Sequence, residues 1–365
     1  MAAPTDVYLQ ACDCRTALGN AHASWQSLVN GQVALSATPP LPDSDDAVPL
    51  ALTGDLGAYE PPRWLEPSLD LLAQVTDRPW GDPRHPVVIT SSNFGIDQML
   101  AFHQQNSAPC RDRATAITAT NVIAEQLGWG SNRTIISNAC VSAQLGIIHA
   151  ERLLANDLAD EALVFSFDYL SHFVVGGFHS LKILNNDFPQ PYANRETGSI
   201  GLGDGAGYAV LSREPSAFRL AASSTHSEFY HMTGNDPSGK GFDAVMTPLA
   251  EAATDRRIWI KGHGTGTLEA GRLESAAAAK AFPGAPLVSW KGSLGHTLGS
   301  CGLIELAIAQ QSFCQKQAPG TVGASAPFIC DNVQAKAFSL TNFDGVVLLS
   351  SAFGGAHAGH LLICE

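Results

Sequence analysis

Seven short runs of the chain are apolar on both faces: residues 87–90, 134–137, 162–167, 207–211, 258–260, 286–289 and 345–350. Runs of three to six residues without polar alternation predict strands covered by helices on both sides. Between them lie alanine-rich amphipathic stretches, 142–156 and 273–282, and a stretch at 299–311 that is apolar nearly all round and predicts a buried helix. The alternation predicts an α/β layered protein. Proline, aspartate and glycine concentrate at 31–62 and at 232–247, and both tracts read as loops. The turn near residue 215 divides the pattern into halves, 1–215 and 216–365. Each half ends in a similar pair of strands, which hints at an internal duplication.

Composition narrows the class of protein. The chain has 365 residues, 45% hydrophobic and only 15% charged, enough to bury one large core or two intimately packed halves. A net charge of −13 speaks against a nucleic-acid partner, since phosphate binding needs a basic face. The opening Met1-Ala2-Ala3-Pro4-Thr5-Asp6 lacks the basic and apolar regions of a signal peptide. No stretch approaches the ~18 apolar residues of a membrane span, so the expected compartment is the cytoplasm. There the eight cysteines stay reduced, and their scatter fits neither a disulfide framework nor a four-ligand zinc spacing. Cys12 and Cys14, the one close pair, read as packing residues, and the sequon Asn132-Arg133-Thr134 has no use in the cytosol.

Three segments carry candidate chemistry. Cys140, in Ser137-Asn138-Ala139-Cys140-Val141-Ser142, follows a predicted strand and precedes a helix-forming stretch. A sulfur at a helix N-terminus feels the positive end of the macrodipole, which favours thiolate; the alternative is an inert core cysteine. In Gly262-His263-Gly264-Thr265-Gly266-Thr267 the glycines permit tight turns and close approach of a ligand, while two threonine hydroxyls suit a polar linear chain. A turn-capping histidine is the plain alternative. In the third segment Lys291 precedes His296, and small residues at 299, 300 and 302 let the following helix pack hard against a neighbour. Lys291 and Glu305, fourteen positions apart, suggest a buried ion pair. The glycine-rich run 201–207 is followed by a strand pattern where a dinucleotide loop needs a helix, so it is not read as one.

Together these segments resemble the elongating-type β-ketoacyl-acyl-carrier-protein synthases of the thiolase superfamily. The likeness extends to residues 7–31, 201–207, Ser227-Glu228-Phe229-Tyr230-His231-Met232-Thr233 and Phe353-Gly354-Gly355. It implies a five-layered αβαβα fold of two similar halves. It also implies a decarboxylative condensation of an acyl thioester with malonyl-carrier protein, in fatty acid, polyketide or aryl-polyene-like synthesis. Cys140 is then the acylated nucleophile, His263 and His296 the pair acting on the malonyl group, and Lys291 with Glu305 the supporting ion pair. Phe353, beside Gly354, is the gate whose N–H joins that of Cys140 in an oxyanion hole, and Thr265 and Thr267 hold the phosphopantetheine arm. The implied partners are an acyl carrier protein and a second synthase subunit, identical or homologous, with no metal or organic cofactor. Departures fall at Leu268-Glu269-Ala270-Gly271, where Pro-x-Gly-Asp is usual, and at Ala352 to His357, where Gly-Phe-Gly-Gly-Thr-Asn is usual. A chain-length-factor-like partner subunit is the rival reading, although such subunits typically lack the cysteine. A Cys-His hydrolase leaves His296 and Lys291 without roles.

Overall fold

The computed structural model describes residues 6–57, 60–105 and 108–365. Residues 1–5 of the opening segment and 58–59 of the 31–62 tract lie outside the described residues.

Each of the seven double-sided apolar runs lies on a strand. Ten strands form the principal sheet: β1 (Val7–Thr16), β2 (Val87–Thr90), β3 (Arg133–Ile136), β4 (Glu161–Asp168), β5 (Gly205–Ser212), β6 (Phe218–Ser227), β7 (Ile258–Lys261), β8 (Leu287–Val288), β9 (Gly345–Ala352) and β10 (Ala356–Cys364). Their order across the sheet is β8-β7-β9-β10-β6-β1-β5-β4-β2-β3. Adding five to each strand of the first half converts its order, β1-β5-β4-β2-β3, into that of the second, β6-β10-β9-β7-β8. The hinted duplication is therefore present in the topology. In both halves three strands run parallel, and the other two join them antiparallel. Within the sheet the halves join through one short antiparallel ladder, Val7↔Leu220 and Tyr8↔Arg219, and the helix Cys301–Cys314 of the second half packs on β1, β5 and the helix Ser142–Ala155 of the first.

Helices cover both faces. Five of them matter for the site: α1 (Ser142–Ala155), α2 (His172–Ser180), α3 (Lys240–Ala252), α4 (Leu268–Ala281) and α5 (Cys301–Cys314). α1 follows β3 and α5 follows β8, so the two are equivalent under the duplication. α5 buries almost its whole circumference, including Leu303, Ile304, Leu306 and Ile308, each contributing roughly 1.5–3 kcal/mol of burial. That explains its lack of an apolar stripe. It also explains its small residues: a Cβ on Gly302 would lie 2.9 Å from Gln144 Cδ of α1, and one on Gly207 of β5 would lie 3.0 Å from Leu303 Cβ. The run 201–207 contains the short strand Leu202–Gly203 and the start of β5, not a nucleotide-loop helix. Cys12 and Cys14 lie on β1, and burial raises both thiols.

Both loop expectations are corrected. The 31–62 tract holds two short antiparallel strands, Ser36–Thr38 and Val48–Ala51. The 232–247 tract is non-helical only to Gly239, whose φ of 73° starts α3. Phe242, Val245, Met246 and Leu249 recur at helical spacing and are buried, so their apolar stripe prevails over the turn-forming residues before them.

Candidate active site

The segments that follow β3, β7, β8 and β9 line one pocket beyond the carboxyl ends of those strands, where open α/β sheets place their ligands. After β3 the chain turns sharply at Ala139, which takes a left-handed φ of 43°, costing a non-glycine residue on the order of 1–2 kcal/mol. Ser142 pins the turn. Its Oγ accepts from the Asn138 N–H at 2.8 Å and donates to the Ala139 carbonyl at 2.7 Å. Gly299 makes room for it, because a Cβ there would meet Ser92 N at 2.7 Å, Asp168 Oδ2 at 2.8 Å and Ala139 O at 3.0 Å. Asp168 accepts hydrogen bonds from Ser91, Ser92 and Asn93, yet burial raises its carboxyl to about 6.

Cys140 does stand at the strand-to-helix turn, but the expectation of a favoured thiolate is not met. Burial pushes its thiol above the ordinary range, with Cys301 and Asp168 adding to the effect and Lys291 opposing it. The macrodipole is worth only about 0.3–1 kcal/mol and acts within the first turn, whereas Cys140 precedes α1 by two residues. Desolvation outweighs it. Cys301, at the start of α5, donates its S–H to the Cys140 carbonyl at 3.4 Å.

The histidine loop leaves β7 at Gly262. Glu274 of α4 fastens it, accepting the His263 N–H at 2.5 Å and the Gly264 N–H at 2.9 Å, with the Tyr192 hydroxyl at 2.7 Å. Gly264 and Gly266 take φ of 38° and 105°, which the turn requires and side chains resist. The Thr265 and Thr267 hydroxyls lie 3.2 Å apart.

His296 reaches the same place from the other side. Its N–H donates to Gly201 O at 2.7 Å, and its carbonyl accepts the Gly203 N–H at 3.1 Å, tying it to the glycine-rich run. The rings of His263 and His296 meet edge to face with centroids 5.0 Å apart. Among the described residues His263 Nδ1 and both ring nitrogens of His296 have no hydrogen-bond partner. Burial, then the charge of Lys291, holds both imidazoles well below their ordinary range, so both are neutral at pH 7. Lys291 Nζ lies 2.7 Å from Glu305 Oε1 and donates to His263 O at 2.8 Å, so the expected pair forms and is buried.

These residues surround one pocket, with ≈ 890 Å³ of empty space including its mouth. Cys140, His263, His296, Thr265, Thr267 and Phe353 all line it. Lys291 and Glu305 lie beneath the wall. Gly354 stands outside it, its N–H donated to Met232 O at 2.7 Å. Phe353, 41% exposed, stacks on Phe178 of α2 at 6.2 Å. Both departures from the family pattern touch the site: Glu269 and Ala270 line the mouth. His357 is buried, with Nδ1 2.9 Å from Ser351 Oγ and Nε2 3.5 Å from Glu228 Oε1. Sequence reasoning missed Lys261, Tyr192 and Phe178. Lys261 ends an apolar strand, where a charge ordinarily signals the solvent boundary. Among the described residues no three potential ligands cluster to hold a metal, and no helix is long and apolar enough to cross a membrane.

Residues 217–325 match the beta-ketoacyl synthase C-terminal domain. The chain is 28% identical over 261 residues to 3-oxoacyl-[acyl-carrier-protein] synthase 2 of Coxiella burnetii, a match covering 61% of this chain and 63% of that protein. It is 26% identical over 299 residues to the tetracenomycin polyketide synthase ketoacyl synthase alpha subunit of Streptomyces glaucescens, covering 74% and 68%. Among solved structures, a chain from the complex of the ketosynthase ApeO with its chain length factor ApeC, from Xenorhabdus doucetiae, superposes with a TM-score of 0.85 at 23% identity, covering 100% of both chains. A beta-ketoacyl synthase from Burkholderia phymatum gives 0.82 at 20%, covering 99% of this chain and 100% of that one. The chain is thus a relative of the β-ketoacyl synthases, with their C-terminal domain at residues 217–325 and the thiolase-like ketosynthase fold throughout.

Proposed function

We propose that the protein is a β-ketoacyl-acyl-carrier-protein synthase that condenses an acyl thioester with malonyl-carrier protein. The observation that carries this reading is the convergence of Cys140, His263 and His296 on one pocket, with both imidazoles neutral and their free nitrogens beside it. In the first half-reaction Cys140 loses its proton and attacks the acyl thioester; the acyl group passes to sulfur and the carrier thiol leaves. In the second, the malonyl group loses CO₂, and the electron pair of the broken C–C bond forms an enolate whose oxygen accepts hydrogen bonds from His263 and His296. The enolate carbon then attacks the Cys140 thioester and expels the thiolate. Neutral imidazoles suit this role, donating where charge develops and giving up no proton beforehand. The N–H groups of Cys140 and Phe353 form the oxyanion hole for the acyl carbonyl, and Thr265 and Thr267 hydrogen-bond the phosphopantetheine arm.

Neither a metal nor an organic cofactor takes part, and the compartment is the cytoplasm. An acyl carrier protein delivers both substrates. The protein works as a two-fold dimer, with itself or with a homologous subunit; β3 ends the sheet with β2 as its sole strand partner among the described residues, leaving an edge for the second subunit. The test is intact-protein mass spectrometry after incubation with acyl-carrier protein. An acyl adduct that maps to Cys140 supports the reading, and an adduct on Cys110 or Cys301 instead sinks it. A second reading, a chain-length-factor-like partner subunit, draws on the raised Cys140 thiol. It calls for a protein that takes no acyl group alone but changes the product length of an active synthase.

A further inference from the structure

We propose that Lys261 is a positioning residue for the histidine pair, sharing Glu305 with Lys291 and tying down the carbonyl that precedes His263. This inference rests on the synthase reading only for its activity measurements. Lys261 closes β7, and its side chain is fully buried. Its Nζ lies 2.5 Å from Glu305 Oε1, the same oxygen that Lys291 takes at 2.7 Å. It also donates to Gly262 O at 2.7 Å, while Lys291 donates to His263 O at 2.8 Å. The two ammonium groups therefore clamp the carbonyls on either side of the His263 Cα, and Glu274 holds its N–H from α4. Trp290, whose ring centroid is 5.6 Å from Nζ, adds a cation–π contact.

Two buried cations crowd one carboxylate oxygen, with the buried Glu274 carboxylate also acting on Lys291, and Glu305 Oε2 has no partner among the described residues. Such crowding of like charges is expensive away from water and is relieved by loss of a proton. The burden falls on Lys261. Burial lowers it to about 8, against the attraction of Glu305 and with help from Lys291, while Cys301 raises it; Lys291 itself is held up to about 12 by Glu305. Both lysines lower His263 and His296. Below pH 8 Lys261 therefore adds its charge to the cluster, supports burial in keeping the imidazoles neutral and favours an anion in the pocket; above pH 8 that charge is lost while the Lys291–Glu305 pair persists.

The experiment compares wild-type protein with Lys261→Met and Lys261→Arg. Histidine titration by NMR, without substrate, and the pH profile of malonyl-carrier-protein decarboxylation are read for each. Wild type should show an alkaline fall in kcat near pH 8. The Met variant, left with a balanced Lys291–Glu305 pair, should fold, titrate both histidines at higher pH, and show kcat at least tenfold lower with KM little changed and no alkaline fall. The Arg variant keeps its charge, so its histidines should titrate as in wild type while the alkaline fall disappears. A wild-type profile flat through pH 9, or a Met variant whose histidines and profile match wild type, overturns the proposal. If wild type decarboxylates nothing, the synthase reading falls, and the histidine titration still decides the role of Lys261.

Discussion

Cys140, half-buried at the pocket wall, and the two buried histidines behave differently from isolated side chains because protein replaces much of the water around them. With its thiol raised by burial, Cys140 should alkylate slowly at neutral pH, at a rate rising about tenfold per pH unit from 7 to 9. Iodoacetamide labelling followed by peptide mapping measures it, and a plateau below pH 8 would show that the helix dipole prevails over desolvation. His263→Ala or His296→Ala should each reduce malonyl decarboxylation on the order of 10²–10³-fold, the usual cost of one preorganised donor, while acylation of Cys140 persists. A radiolabelled carbon dioxide assay beside the mass-spectrometric one separates the two steps. Cys140, His263 and His296 stood out as candidates because their glycine- and serine-rich surroundings are read residue by residue, and their roles came from the likeness to the synthases. Lys261 did not, because only the tertiary fold brings it within reach of Glu305, 44 positions along the chain.

At the scale of elements, the short turn Leu298–Ser300 that leads into α5 is tightly confined. Gly299→Ala should cost about 1–3 kcal/mol of overpacking and disturb the Cys140 turn, since its Cβ has Ser92, Asp168 and Ala139 within 3.0 Å. A denaturant melt together with the alkylation rate checks both effects. The shared carboxylate changes the forecast for the ion pair. Lys291→Met leaves Lys261 on Glu305 and should cost less than Glu305→Gln, which strands two buried ammonium groups and should cost about 3–5 kcal/mol. Equal losses in urea titrations would mean that Lys261 is not charged when Lys291 is absent. The double-sided apolar runs showed the strands, whereas α3 was obscured by the loop residues that precede it. Its four buried apolar side chains declare themselves only against β6 and β10.

Over the whole molecule, acid should unfold the protein through its buried histidines. His360 is fully buried and held near 4, against 6.5 when free, and His263 and His296 shift in the same direction. A depressed pKa contributes stability above the unfolded value, and that contribution is lost as pH falls from 6.5 toward 4. For His360 alone it amounts to roughly 3 kcal/mol. Thermal melting between pH 7 and 4.5 checks the slope, and His360→Gln should flatten it. Light scattering should give twice the mass of the chain, and a clean monomer would direct the search to a homologous partner. The α/β class, the strands and the candidate trio Cys140, His263 and His296 follow from local order along the chain, because hydrophobic periodicity and glycine-bounded motifs are short-range properties. The five-strand correspondence between halves, the neutral state of the imidazoles, the protonated Cys140 and the two-lysine cluster depend on which distant segments exclude water together. Burial sets those charge states, and burial exists only once β7, β8, β9, α1 and α5 have come together.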